Sequence, residues 1–440
     1  FTLDRDKARE KMRQFQLADP HRYVLELVQA AAGKGATKVR FDIDADDMRM
    51  SFDGRPFTVY DFEILYNALL SRVEGADADA VAQLALGLNA AMALNPRYLR
   101  VRSGQGGQGA TLEMRPGRED RYEQAAVDLE GTEIHVKARF RPGLAVNFMQ
   151  NVQGQLPEEL LLRERCRYAP FEVDLEDKVI SAGPTRDDLV GRVTFDEDGV
   201  RGVAGYAPGL SGEASVDLVR GGVWIARHPL HGVSADFRAV VACDAFKKDV
   251  SQLDIRQDET YERASEILKA AHRRSLMTIA QRFGQVEDSW IDPDVDPKWA
   301  IPLLWDAMQS YPPAKLEDPK PGDLGHALAR VPFWPTLGGD KASLVALQEE
   351  QKKHDHVGWT PNTYREHEDD EVLTPAALAG DRLVLVLPRS EDRDELKRHL
   401  GSGLVSVTRK LNRRIKAEQN KRQWRLRVAE PQIDLFVDNN

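Results

Sequence analysis

The alternation of apolar and polar residues over the first 140 positions predicts helices and strands in turn. Asp19-Pro20 marks a helix start, with Asp as N-cap and Pro at the first helical position. Val24, Leu27, Val28 and Ala31 then fall at i, i+3, i+4 and i+7, one apolar stripe that Gly33 and Gly35 bring to an end. Val39, Phe41 and Ile43 alternate with polar residues, as do Met48, Met50 and Phe52, which predicts two strands. Small apolar residues over 81–94 predict a buried helix. Strands are expected at 98–102 and 110–114, around a tip rich in glycine (Gly104, Gly106, Gly107, Gly109), and again at 132–136.

From about 150 to 290 strands dominate and a helix follows. Buried strands are expected at 216–225 and 237–243, and a clear helical period runs over 261–283. The Asp- and Pro-rich stretch 290–297 reads as a boundary. Residues 298–440 mix helical patterns with one strongly apolar strand at 383–387 and end in a helical, basic run. These patterns predict an α/β (α+β) chain of three parts, 1–145, 146–290 and 291–440. That count suits 440 residues at roughly 150 per domain.

Composition narrows the classes. With 42% hydrophobic residues the chain buries a real core, and its net charge of -10 argues against general nucleic-acid binding. Two cysteines, Cys166 and Cys243, make neither a disulfide framework nor a zinc site and fit a reducing, cytoplasmic compartment. No apolar run approaches the roughly 18 residues that span a bilayer. The chain as given begins at Phe1 and shows no signal-peptide pattern.

Candidate chemistry lies on the other face of the first helix, where Glu26, Ala30 and Gly33 fall at i, i+4 and i+7. Three further motifs follow in order. They are Ser51-Phe52-Asp53-Gly54-Arg55-Pro56-Phe57, then Gln83-Leu84-Ala85-Leu86-Gly87-Leu88-Asn89-Ala90-Ala91, then Glu130-Gly131-Thr132-Glu133-Ile134. Together they resemble the nucleotide-binding motifs of the GHKL (Bergerat-fold) ATPases. Past them, 237–241 and 249–257, followed by a helix, resemble the middle domain of the ninety-kilodalton heat-shock chaperone family.

The resemblance implies a two-layer Bergerat-type α/β sandwich followed by α+β middle-domain-like regions. It also implies ATP or ADP as ligand, protein clients or partners, and admits a homodimer. Carried over residue by residue, Glu26 takes the place of the carboxylate that activates water. Asp53 and Gly54 stand at the adenine turn, Gly87 and Asn89 at the phosphate-binding glycine motif, and Thr132 beside adenine. Arg256 is the candidate for the loop residue that reaches the γ-phosphate, with Lys247 and Lys248 as runners-up.

Several positions depart from the pattern. The magnesium-binding Asn is Ala30, which offers no oxygen, so no metal ligand is assigned; magnesium takes only one or two protein oxygens and the Asn supplies the decisive one. The next acidic position is Gly33. Aligned on Gly54, the adenine Asp becomes Phe52, and in a strand a one-residue shift turns Asp53 to the other face. The glycine before Gly87 is Ala85. Losing one preorganised electrostatic group costs on the order of 2.7–4 kcal/mol in the transition state, so a pseudo-ATPase is expected before a weak one. The leading expectation is therefore a chaperone-like or scaffold protein. The alternatives are an active ATP-dependent chaperone, a DNA-metabolism or DNA-defence component related to mismatch-repair and topoisomerase ATPases, and a pure partner-binding module.

The same residues have ordinary structural readings. Glu26 reads equally as a solvated helix residue, Asp53-Gly54 as a turn, Gly87 as a helix-packing glycine, Thr132 as a strand residue, and Arg256 as the ion-pair partner of Asp254 or Asp258. The glycines at 104–109 read as a hairpin tip, because they lie between two strands rather than between a strand and a helix. His354-Asp355-His356 with His367-Glu368-Asp369-Asp370 lies in polar, loop-like sequence, and His228 and His231 flank a turn. Phe333-Trp334-Pro335 is expected to serve buried packing. Residues 409–427 hold nine Lys/Arg and one Glu, with Trp424 among them; a solvated face is favoured there over nucleic-acid binding.

Overall fold

Alternation of buried and exposed side chains builds the first sheet. Strand β1 (Lys38–Ile43) and β2 (Asp47–Phe52) form an antiparallel pair that sets Val39 opposite Phe52, Phe41 opposite Met50 and Ile43 opposite Met48, all six buried. Strand β3 (Tyr98–Gln105) turns through Gly106 and Gly107 into β4 (Gln108–Met114), so the glycine-rich tip is a hairpin. Strands β5 (Arg121–Ala125) and β6 (Gly131–Lys137) follow, then β7 (Glu172–Leu175) and β8 (Lys178–Val179). The order across the sheet is β5-β4-β3-β6-β2-β1-β7-β8, with β7 parallel to β1. One buried row, Phe52–Thr132–Ser103–Ala110, crosses four of these strands.

This is a computed structural model that describes residues 19–44, 46–70, 75–138, 156–209, 212–284, 296–312, 316, 320, 322–361 and 374–429. The chain is of α/β class and divides into two units, Phe1–His272 and Arg273–Asn440. In the first unit, helix α1 (Tyr23–Gly33) packs chiefly on α3 (Ala76–Ala93), and α2 (Val59–Leu70) packs on α3 as well. Asp19 begins the helical segment as expected: its carboxylate accepts the His21 amide at 3.0 Å, capping a short 3-10 turn, Pro20–Arg22, that leads into α1. Every residue of α1 from Tyr23 to Ala31 is buried, so the helix has no solvated face and Glu26 lies within the core.

Helix α4 (Pro157–Arg165) precedes β7, and a second sheet follows. It comprises β9 (Val190–Glu197), β10 (Val200–Tyr206), β11 (Ser215–Arg220), β12 (Val223–Pro229) and β13 (Phe237–Ala242), in the order β12-β11-β13-β10-β9. The apolar run at 216–225, expected as a strand, is a hairpin instead. Gly221 and Gly222, at φ 52° and 78°, take the two left-handed positions of a tight turn. Helix α5 (Glu259–Gly284) follows.

In the second unit, Asp296 caps α6 (Pro297–Gln309) by accepting the Lys298 amide at 2.8 Å; residues 285–295, most of the expected boundary, lie outside the described residues. Phe333 and Trp334 are buried and meet Trp305 edge-on, which bears out their packing role. Two short strands, β14 (Trp334–Pro335) and β15 (Lys341–Ala342), pair with each other. Helix α7 (Leu344–His354), β16 (Val357–Thr360), β17 (Val384–Val386), α8 (Ser390–Leu400), β18 (Leu404–Ser406) and α9 (Thr408–Ala429) follow, with short helical turns at Leu324–Leu328 and Pro375–Ala379. Strand β16 is central, with β17 and β18 parallel to it on either side. His367 to Asp370 lie outside the described residues. Among the described residues, no helix is long and apolar enough to cross a membrane.

Candidate functional site

The first unit buries a charged cluster around α1. Glu26 is 1% exposed, and its Oε2 accepts from Lys248 Nζ at 2.7 Å. The same oxygen accepts from Gln29 Nε2 at 3.3 Å, and Lys248 Nζ also donates to Gln83 Oε1 of α3 at 3.3 Å. Burial holds the Lys248 ammonium below its ordinary value, and the Glu26 carboxylate offsets only part of that. Arg220, at the end of β11, donates to Gln29 Oε1 at 3.0 Å and to the Phe246 carbonyl at 2.6 Å, and pairs with Asp79. The following turn lies directly on α1: a Cβ on Gly221 would sit 3.0 Å from the Gln29 side chain.

The loop after β13 explains why Lys248, and not Arg256, enters this cluster. Lys248 bridges Ile255 in an antiparallel pairing, and the Arg256 amide donates to the Lys247 carbonyl at 2.8 Å. Side chains alternate along paired backbone. Lys248 and Ile255 therefore point inward together, while Lys247 and Arg256 are both exposed. Asp249 holds the loop tip by accepting the Leu253 and Asp254 amides. His228 closes it between Asp254 Oδ1 at 2.5 Å and the Tyr261 hydroxyl at 3.1 Å.

The positions assigned to adenine and phosphate are engaged by the chain's own groups. Thr132 is fully buried, and its hydroxyl lies 2.7 Å from Ser103 Oγ, which accepts the Phe57 amide at 2.7 Å. Phe57 packs edge-on to Phe52 and stacked on Phe62, with Lys34 Nζ 4.6 Å above its ring. Asp53 accepts from the Thr37 amide, the Thr37 hydroxyl and the Lys38 amide at 2.5–2.9 Å. Partial burial raises its carboxyl, but these hydrogen bonds outweigh that and hold it below the usual carboxylate range. After Gly54, the Arg55 amide donates to the Lys34 carbonyl, fastening the turn to the end of α1.

Gly87 sits midway along α3 rather than at a helix N-terminus. A Cβ there would lie 2.8 Å from Leu27 Cδ2 and 3.2 Å from the Tyr23 carbonyl, so Gly87 lets α1 and α3 approach closely. Asn89 is half-buried two residues on. Ala30 and Gly33, which stand at the metal positions, carry no side-chain oxygen.

Sequence reasoning passed over Gln29, Gln83, Ser103, Phe57 and Arg220. The signal for the two glutamines was a long polar side chain inside an otherwise apolar helix. For Arg220 it was a lone cation at the end of a buried strand beside Gly221-Gly222. No protein-family model matches the chain, and no curated protein matches it.

Proposed function

We propose that the chain is a chaperone-like scaffold of GHKL type whose nucleotide position is filled by its own side chains. It acts through protein contacts rather than ATP turnover. The observation that carries this reading is the Glu26–Lys248 pair, with both side chains almost wholly buried. A carboxylate must accept a proton from water to activate it; here one Glu26 oxygen already accepts from a lysine and a glutamine. Breaking a buried pair costs about 3–5 kcal/mol, a large barrier to freeing Glu26 for catalysis. The residues present do not fit magnesium-nucleotide either: Ala30 supplies no oxygen, and Thr132, Ser103 and Phe57 satisfy one another. Two buried, free thiols suit a reducing, cytoplasmic setting.

Calorimetry with ATP and ADP, with and without magnesium, tests the reading. The expected result is no binding heat at millimolar nucleotide, together with nucleotide-independent suppression of aggregation of a heat-denatured client. Micromolar binding that Thr132→Val weakens would overturn it.

A further inference from the structure

We propose that the exposed face of α9 binds the phosphate backbone of nucleic acid. Two turns fix this helix to its own unit. Leu411 joins Leu337, Leu378, Val384 and Val386 in one apolar cluster, Ile415 packs beside it, and Arg414 donates to the Leu378 carbonyl at 3.1 Å. Beyond Ile415 every described side chain except Glu418 is exposed. From Lys416 to Arg425, about 15 Å at 1.5 Å per residue, the helix therefore stands out to solvent.

That surface reverses the sign of the protein. The chain carries a net charge of -10, yet between 408 and 425 there are eight Lys/Arg and one acid. The acid, Glu418, lies 3.9 Å from Lys421, and the cations outnumber it by seven over these residues. At about 100° per residue, Arg409, Arg413 and Trp424 share one side, with Lys416 and Lys421 flanking them. Leu411 and Ile415 occupy the opposite, docked side. Trp424, 67% exposed, lies one helical turn from Lys421.

A membrane-binding helix offers its apolar side to lipid; here that side is already spent on the unit's own core. Cations spread along a rod with one aromatic ring between them match a polyphosphate backbone, the ring meeting a base or a groove wall.

The test uses the full chain and a labelled DNA duplex of about 30 base pairs, or its single strand, followed by fluorescence anisotropy. Four phosphate contacts predict a log–log salt slope of about -3.6 on the duplex, or about 150-fold weaker binding between about 50 and 200 mM salt, and about -2.8 on the single strand, or about 50-fold. Replacing Arg413, Lys416, Lys421 and Arg425 together by Gln, all exposed and outside the apolar cluster, should leave the thermal melt unchanged. It should flatten the salt dependence and weaken binding by more than about tenfold. Binding to either form with this behaviour supports the proposal. No binding at the lower salt, binding that the four substitutions leave intact, or tighter capture by vesicles containing about one-third anionic lipid would overturn it.

Discussion

Lys248 meets Glu26 across 222 residues of sequence at 2.7 Å, and the two side chains are 3% and 2% exposed. Removing one partner strands a charge in the core. Lys248→Met should cost about 3–5 kcal/mol in urea unfolding, whereas Glu26→Met with Lys248→Met together should recover most of that loss. A double-variant cost equal to the sum of the Glu26→Met and Lys248→Met costs would show that the two groups are not coupled.

The Ser103–Thr132 pair predicts an order of effects. Thr132→Val removes one hydroxyl and leaves Ser103 with the Phe57 amide, so the loss should be about 1 kcal/mol. Ser103→Ala strands both the Phe57 amide and the Thr132 hydroxyl and should cost about 2–3 kcal/mol. Thermal melts of the two variants compare them directly; the reverse order would remove Ser103 from the centre of this network.

Gly87→Ala separates a packing glycine from a phosphate-binding one. Alanine favours a helix interior by roughly 0.5–1 kcal/mol. The added methyl, however, meets Leu27 and the unyielding Tyr23 carbonyl, an overpacking cost of typically about 1–3 kcal/mol. The variant should melt lower than the wild type. A higher melting temperature would mean that α1 and α3 tolerate the methyl.

His21 gives a pH signature. Its Nδ1 lies 2.7 Å from Glu158 Oε1, and that hydrogen bond, against a smaller opposing effect of burial, raises the imidazole above its ordinary 6.5. A raised folded-state value means that the contribution to stability is fully present below pH 6.5. It is lost as pH rises through the folded value. Proton NMR should find His21 titrating above 6.5 and Glu158→Gln should lower it; an unchanged midpoint would detach the two residues.

Much of the fold was legible because it is local. Val39, Phe41 and Ile43 alternate within one strand, and Val24, Leu27 and Val28 repeat within one helix; neither pattern depends on distant chain. The candidate site was less legible because its decisive contacts are not local. Glu26 could be singled out from its motif, but whether it faced water depended on a lysine near residue 250. The choice among Lys247, Lys248 and Arg256 depended on loop register, which alternation settles only once Lys248 is seen to pair with Ile255. Gly221-Gly222 inside an apolar run was a turn signal, yet the hydrophobicity around it concealed the break between β11 and β12.

The parallel pairing of β7 with β1 bears on how this protein is dissected. Lys38 to Phe41 lie against residues 172–175, so the outer part of the first sheet comes from chain well beyond residue 145. A fragment cut at 145 would keep β1 but leave its outer backbone amides and carbonyls without a neighbour, an invitation to self-association. It would also lose Lys248 while retaining a buried Glu26. A folded piece therefore has to reach at least His272, where the first unit ends, and insoluble material from a shorter fragment would report the cut rather than the protein.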